Sequence, residues 1–329
     1  MATPDRLAVA FDLARSRPGA DGLAWVETIP DAGEHQGWTW QHYDLVNPAA
    51  QRAIGNDRFL PEFARAILLS ADEMPRIIED EGIVAGVMPG YARTGDAEEF
   101  RLVAWHFALD RRHLVTGRRS ACRGLVRQWE ALQRGVAPAG PADLVERCIV
   151  EFAREARAHL AGLSATLDPI EDLLFEPRDA SRYADIGGKL GSVRREAALL
   201  KRVLVPLVRA LDDEDEDLQE WSALAEHDHS LRLARSALDD IAALNDRARS
   251  LQDELTTRLA EETNRRLYIV SVVTTLVMPA TFVTGFFGMN TGGLLWSGEG
   301  ADHGTLFAAL LCLGAVGVTL LLLRMKRLL

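Results

Sequence analysis

Few cysteines and no surplus of basic residues limit the functions open to this chain of 329 residues. Cys122, Cys148 and Cys312 stand far apart without metal-ligand spacing, so we expect neither disulfides nor a cysteine-based zinc site. The formal net charge of -11 argues against nucleic acid as a partner, because surfaces that bind nucleic acid are basic. An acidic balance permits cations as partners.

The chain also lacks the sequence signatures of an enzyme. No glycine-rich phosphate loop follows a predicted strand, and residues 82–86, Gly-Ile-Val-Ala-Gly, lack the third glycine and the helix of a dinucleotide fingerprint. No nucleophile or metal constellation stands out. The N-terminus has no basic flank followed by a long apolar run, so we expect no secretory signal. We expect a protein that is not an enzyme and holds no cofactor.

Charge disappears from two long stretches near the C-terminus. Asp, Glu, Lys and Arg are missing from residues 267–298 and again from residues 305–323. Residues 267–287 and residues 305–323 are each long enough to cross a hydrocarbon core of about 30 Å as a helix. Basic residues flank this pair on its outer sides: Arg265, Arg266, Arg324, Lys326 and Arg327. By the positive-inside rule, both termini are cytoplasmic and the connecting loop faces outwards.

The part before residue 267 changes character once. Residues 1–135 alternate short predicted strands with a helix, as expected for an α/β head domain: strands at 25–28 and 38–45, an amphipathic helix at 60–71, and β-rich runs at 76–91 and 100–119. Residues 136–266 carry helical spacing throughout: helices at 144–175 and 181–213, and one from about 218 into the membrane, ending near 287. At 1.5 Å per residue the last helix would be roughly 100 Å long, which is typical of a stalk.

The predicted architecture is therefore an α+β cytoplasmic domain, an α/β/α head followed by long stalk helices, with two C-terminal transmembrane helices. The predicted segments are the head (1–135), the stalk (136–266), the first membrane helix (267–287), an external loop (288–304), the second membrane helix (305–323) and a basic cytoplasmic tail (324–329). The lipid bilayer is a predicted partner.

One side of the first membrane helix carries small, hydroxyl or thioether side chains instead of bulky aliphatic ones. Steps of three and four residues connect its members: Asn264, Leu267, Ser271, Thr274, Met278, Thr281 and Gly285. We call this set the seam. Two interpretations remain open, since such residues mediate close helix packing in lipid and also line water-filled paths. A path needs several copies of the chain, because two helices cannot enclose one.

The seam ends in a tripeptide, Gly288-Met289-Asn290, and together they resemble a known family. The stretch from Asn264 to Asn290, with its proline inside the span, is similar to the first membrane helix of the CorA superfamily of divalent-cation transporters. The continuation Asn290-Thr291-Gly292-Gly293 and the segment Trp40-x-His42-x-Asp44 resemble the ZntB branch. Met289 is the residue of the magnesium branch, and Leu294-Leu295 replaces the usual Ile-Pro.

The resemblance implies a funnel-shaped homopentamer in the cell inner membrane, with Gly288, Met289 and Asn290 at the pore entrance. It implies zinc uptake coupled to protons in the ZntB branch, and channel-like magnesium, cobalt or nickel flow gated by cytoplasmic metal in the CorA branch. Neutral carbonyl and amide oxygens suit a hydrated cation, because they bind it weakly enough for release. In the loop, Glu299 and Asp302 would attract cations, unless they are only solvated loop residues.

A second group of candidate ligands precedes the stalk helix. Glu226, His227, Asp228 and His229 include zinc-binding side chains, and they are either a solvated surface or a regulatory metal site between subunits. The remaining histidines are better explained by packing. Three hypotheses follow: a ZntB-like zinc transporter, a CorA-type magnesium channel, and a membrane-anchored sensor or scaffold. A tether would need no polar seam, so the seam favours transport.

Overall fold

The computed structural model describes residues 23–29, 37–93, 100–175, 183–212, 228–288 and 304–325. Its strands are β1 (Leu23–Ile29), β2 (Trp38–Asp44), β3 (Arg76–Asp80), β4 (Ile83–Tyr91), β5 (Leu102–Leu109) and β6 (His113–Arg118). Its helices are α1 (Pro48–Asn56), α2 (Glu62–Leu69), α3 (Arg123–Gln133), α4 (Pro141–Ala165), α5 (Asp168–Phe175), α6 (Tyr183–Leu211), α7 (Asp228–Gly288) and α8 (Gly304–Met325). The strands and the helix predicted for residues 1–135 are all confirmed.

The six strands form one mixed sheet in the order β1-β2-β6-β5-β4-β3. Among the described strands, β2 and β6, the second pair from the β1 edge, are parallel, and the other four pairs are antiparallel. Strands β4 and β5 are buried almost end to end, because helices cover both faces of the sheet. A tight turn joins β3 to β4 through Glu81 and Gly82, both at positive φ (51° and 73°), as a two-residue type I′ hairpin requires.

The two faces of the sheet hold different cores. Helices α1 and α2 cover a core of aliphatic residues, which includes Ile54, Leu68 and Val87. The opposite face is aromatic and packs on α3 and α4: the rings of Trp40 and Trp129 lie 6.3 Å apart between centroids. Helices on both faces agree with the predicted α/β/α arrangement.

The helix predicted at 144–175 is wrong in one respect, because the structure divides it into α4 and α5. Residues Thr166 and Leu167 separate them, and the Thr166 hydroxyl donates to the Leu163 carbonyl at 2.6 Å. Pro169 has no backbone N–H to donate to the Ala165 carbonyl, and its ring would clash with that carbonyl, so α4 cannot continue and a new helix begins with Pro169 in its first turn. Helix α4 also begins earlier than predicted, at Pro141, a residue suited to the first helical position.

The remaining long helices agree with the sequence. Helix α6 covers most of the segment predicted at 181–213, and α7 is one uninterrupted helix of 61 residues that ends at Gly288. The start predicted for it near 218 lies outside the described residues. The chain forms two compact units, Met1–Leu173 with Gly188–Leu251, and Leu174–Gly187 with Gln252–Leu329. The boundary between head and stalk at 135 and the boundary between stalk and first membrane helix at 266 stay predictions.

Among the described residues, one helix is long and apolar enough to cross a membrane, and it lies within Asp228–Phe286. The apolar part of α8, Ala309–Met325, is shorter. The second span at 305–323 therefore stays a prediction, although the whole segment is helical.

Candidate functional site

All seven seam residues lie on α7 within the second unit, and every one of them is exposed. Leu267 and Met278 keep 62% and 70% of their surface accessible. Within a single chain, the described residues leave the continuous uncharged strip formed by the seam exposed to solvent. Gly288 is the last residue of α7 and is also exposed, whereas Met289, Asn290, Glu299 and Asp302 lie outside the described residues.

The shielded side of the same helix lies opposite the seam. Half-buried or buried side chains on this part of α7 are Val272, Leu276, Pro279, Ala280 and Val283. At about 100° per residue, their mean direction is roughly 155° from that of the seam. Helix α8 lies on this shielded side, since the Cys312 thiol donates to the Ala280 carbonyl at 3.8 Å.

Helix α8 has a matching shielded side, formed by Cys312, Ala315, Val316, Thr319 and Leu323. Both shielded sides extend over several turns away from the Cys312–Ala280 contact. The two helices thus form an antiparallel hairpin, joined on the side of α7 that does not carry the seam. The small side chains at the contact, Ala280 and Cys312, allow close approach of the helices.

The hydroxyl groups of the seam have a defined orientation. Thr274 donates its proton to the Val270 carbonyl at 2.8 Å, and Thr281 donates to the Val277 carbonyl at 3.0 Å. Because each proton is used within the helix, the lone pairs of these oxygens remain for an outside donor or cation. The seam therefore presents acceptor oxygens, which suit a hydrated cation and do not suit an anion.

The candidate regulatory ligands are only partly described. Asp228 and His229 begin α7 and are exposed, while Glu226 and His227 lie outside the described residues. The Asp228 carboxylate lies 3.5 Å from Arg232, and the His229 Nε2 lies 3.5 Å from Arg154. Among the described residues no group of three metal-binding side chains comes together. The regulatory metal site stays a prediction.

A cleft of the first unit, with a volume of about 780 Å³, lies beside His229. Part of its charged lining is paired: Arg127 contacts Glu151 and lies 2.9 Å from Glu155. Burial raises the pKa of Glu151 although Arg127 opposes the shift. On the same cleft Arg147 lies 2.9 Å from Asp143, so Arg127 and Arg147 are each held by carboxylates of the lining.

The Trp40-x-His42-x-Asp44 segment lies in the core of the head. Thr116 Oγ1 accepts from Trp40 Nε1 at 2.9 Å and bonds His42 Nδ1 at 2.8 Å. Arg118 Nε donates to His42 Nε2 at 3.1 Å, so the ring proton belongs on Nδ1. Complete burial, and then the Arg118 charge, hold the pKa of His42 well below its usual value, and the ring is neutral.

Sequence reasoning missed Thr116 and Arg118 as partners of this segment. Their signal was weak: Thr116 and Arg118 are polar residues two positions apart, in a strand whose other residues after His113 are apolar or small. Because β2 and β6 are parallel neighbours with His42 opposite Thr116, the register alone creates the network. The segment contributes to the packing of β2 on β6 within the head, and none of its three named residues lines the cleft beside His229.

A mixed sheet with helices on both faces, followed by a very long helix that ends in a charge-free, polar-lined span, defines a class of membrane transport proteins. The chain matches the family model described as CorA-like Mg2+ transporter protein over residues 35–327. The chain belongs to this CorA-like family.

Curated relatives support this assignment at low identity. The chain is 26% identical over 307 residues to the divalent cation transporter CmaX of Pseudomonas aeruginosa, covering 90% of this chain and 87% of that protein. It is 26% identical over 267 residues to the zinc transport protein ZntB of Photorhabdus laumondii, covering 78% and 77%.

Solved structures show the same fold. The structure of the full-length CmaX protein superposes with a TM-score of 0.72 at 24% identity and covers 91% of each chain. The complete structure of the CorA magnesium transporter from Methanocaldococcus jannaschii gives a TM-score of 0.69 at 16% identity, covering 90% of this chain and 93% of that one.

Proposed function

We propose that this protein transports divalent metal cations across the cell inner membrane, through a pore lined by the seam of α7 in a homopentamer. The observation that carries the proposal is the exposure of the whole seam on the side of α7 away from α8. In lipid, uncharged polar groups belong at a helix interface or along water. Copies arranged around an axis would bring the seams together.

The chemistry of the seam fits a hydrated cation. Acceptor oxygens at Thr274 and Thr281 can receive hydrogen bonds from the water shell of the ion, without direct ligands that would hold it. At the outer end, the Asn290 side-chain carbonyl and the Gly288 backbone carbonyl would form the entrance. A potential of ~100 mV is worth about 4.6 kcal/mol for a divalent ion, so the potential alone can drive uptake.

Zinc is the proposed substrate, supported by relatives named as zinc transport proteins and by the motif Asn290-Thr291-Gly292-Gly293. Magnesium is the second candidate, favoured by Met289 and by the description of the family model. No carboxylate or histidine lies in residues 267–287, so proton coupling in the zinc case would act through water or at ion entry. Both termini would be cytoplasmic.

The test is ion flux into proteoliposomes, with zinc compared with magnesium, and with and without a pH gradient. A matched pair isolates the seam: Thr274→Val removes a seam hydroxyl, and Thr275→Val removes a neighbouring hydroxyl rotated by about 100°. Both threonines are exposed and donate to a backbone carbonyl at 2.8 Å, so their structural costs are alike.

We expect Asn290→Ala and Thr274→Val to lower flux several-fold and Thr275→Val to leave it near that of wild type. Zinc flux that responds to the pH gradient supports the zinc assignment, and magnesium flux indifferent to pH moves the protein to the second candidate. Equal effects of the two threonine variants would contradict the seam as the pore lining. No flux of either ion in verified pentamers would leave a membrane-anchored sensor or scaffold.

A further inference from the structure

A smaller cleft of the first unit, with a volume of about 390 Å³, lies where the end of β4, the start of α3 and the later part of α4 meet. Phe100, Ala158 and Leu163 form an apolar wall of this cleft. Two charged side chains, Arg123 and Glu155, belong to the same lining. An apolar cleft of this size with a few converging polar groups is typical of a site for a small molecule.

The two charged side chains of this smaller cleft hold each other only loosely. Arg123 Nη1 donates to Glu155 Oε1 at 3.5 Å, a long hydrogen bond, and the guanidinium forms no other with a described residue. Arg127 lies nearer to the same oxygen, at 2.9 Å. Within the described part of the chain, Glu155 Oε2 accepts no hydrogen bond. Arg123 therefore keeps donors for an anionic group, and Glu155 keeps an acceptor for a cationic one.

Tyr91 adds a hydroxyl group to the same lining. The residue is 7% exposed, and its ring packs against Phe100 and Phe152, with centroids 5.8 and 5.3 Å apart. Its buried hydroxyl has no hydrogen-bond partner among the described residues. Burial, and then the Glu155 charge, raise the pKa of Tyr91, so the hydroxyl keeps its proton. Because buried donors in folded proteins are almost always paired, this one is available to a ligand in the cleft.

We infer that the smaller cleft binds an α-amino acid with an apolar side chain. The Arg123 guanidinium and the Tyr91 hydroxyl hold the ligand carboxylate, and Glu155 Oε2 accepts from the ligand ammonium group. The two charges of an α-amino acid are neighbours, as Arg123 and Glu155 are, and a carboxylate suits the forked donors of arginine. The ligand side chain lies on the apolar wall. A simple anion or cation fits less well, because it would meet a charge of its own sign.

The test measures ligand binding without ion flux, so its outcome is independent of the proposed transport. The full-length protein in detergent micelles is titrated calorimetrically with L-leucine, L-methionine or L-phenylalanine. We expect saturable binding of at least one of them. The analogues of that amino acid that lack the amino or the carboxyl group should each bind about tenfold more weakly or worse. Arg123→Gln and Glu155→Gln should each weaken binding of the amino acid by about tenfold, the cost of one lost charged hydrogen bond.

Tyr91→Phe separates ligand binding from folding. Because the hydroxyl is unpaired in the free protein, its removal should not lower the thermal unfolding midpoint, whereas binding of the amino acid should weaken about fivefold. The matched control is Arg154→Gln, which removes an arginine next to Glu155 in the chain that lines the cleft beside His229 instead. It should bind like wild type.

Three results would each overturn the inference. The first is no saturable binding of any of the three amino acids by folded wild-type protein at millimolar concentrations. The second is equal binding of the amino acid and of both its analogues, which would show an apolar cleft without recognition of charge. The third is wild-type affinity in Tyr91→Phe, a variant that decides the matter even if the glutamine variants do not fold.

Discussion

Replacing Thr116 by valine should destabilise the head strongly, although the change is nearly isosteric. The Thr116 oxygen is fully buried and serves both Trp40 Nε1 and His42 Nδ1, at 2.9 and 2.8 Å. Valine keeps the shape of the side chain but leaves these two N–H groups without that acceptor. A buried donor that loses its acceptor costs about 1 to 3 kcal/mol.

We therefore expect Thr116→Val to lower the free energy of unfolding by about 2 to 5 kcal/mol. The original hydroxyl is a poor donor to the Gln41 carbonyl, at 3.4 Å, so its own lost hydrogen bond adds little. Because domains of this kind are stable by about 5 to 15 kcal/mol, the loss is a substantial fraction of the total. The register of β2 on β6 makes this cost specific to position 116.

Unfolding of the full-length protein in detergent, followed by tryptophan fluorescence against urea, measures the effect. Thr116→Ser restores the acceptor and should recover most of the loss, which a purely steric role would not predict. Thr256→Val, on an exposed turn of α7 with its hydroxyl bonded to the Gln252 carbonyl, controls for the type of substitution and should change stability by less than about 0.5 kcal/mol. A Thr116→Val protein within about 0.5 kcal/mol of wild type would refute the reasoning.

Two other predictions concern the same sheet. Burial, with smaller contributions from nearby arginines, lowers the pKa of His106 from 6.5 to about 4, so the folded head resists protonation of this ring. The free energy of unfolding that depends on a neutral His106 is complete above pH 6.5 and decreases by at most about 3 kcal/mol as the pH falls towards 4. His106→Phe should therefore flatten the plot of urea midpoint against pH between these two values. An unchanged profile would contradict this. Gly86→Ala should reduce stability more than Gly117→Ala, since a new Cβ would lie 2.4 Å from the rigid Arg76 carbonyl oxygen but 2.8 Å from a movable methyl of Leu45. Comparable urea midpoints for the two alanine variants would contradict this, because they would show that the backbone at Arg76 can move away from the new Cβ with little loss of stability.

Much of the fold could be read from local patterns. The strands of the head and the helix α2 follow from apolar alternation and from three-and-four spacing, which depend only on neighbours along the chain. The break between α4 and α5 was missed although Pro169 marks it, because apolar spacing continues across the break. Long helices that continue in sequence can still restart in space at such a proline.

The candidate site, like the fold, could be predicted only in part from the sequence. The seam from Asn264 to Gly285 was predicted from the sequence, and each of its members is exposed on α7. Its position opposite α8 could not be predicted, since it depends on which side of α7 the second helix approaches. Its role in transport is a proposal from the family and the seam chemistry.

The sequence by itself determined that the chain carries charge-free segments near its C-terminus, a polar seam and the motif of a CorA-like protein. These are properties of residue type and spacing, and spacing along one helix fixes which side chains share a side. Only the tertiary structure decided that Trp40 and His42 meet Thr116 and Arg118, and that the α7–α8 contact leaves the seam uncovered. Those contacts join residues distant in sequence, so they depend on strand register and helix packing and not on local pattern.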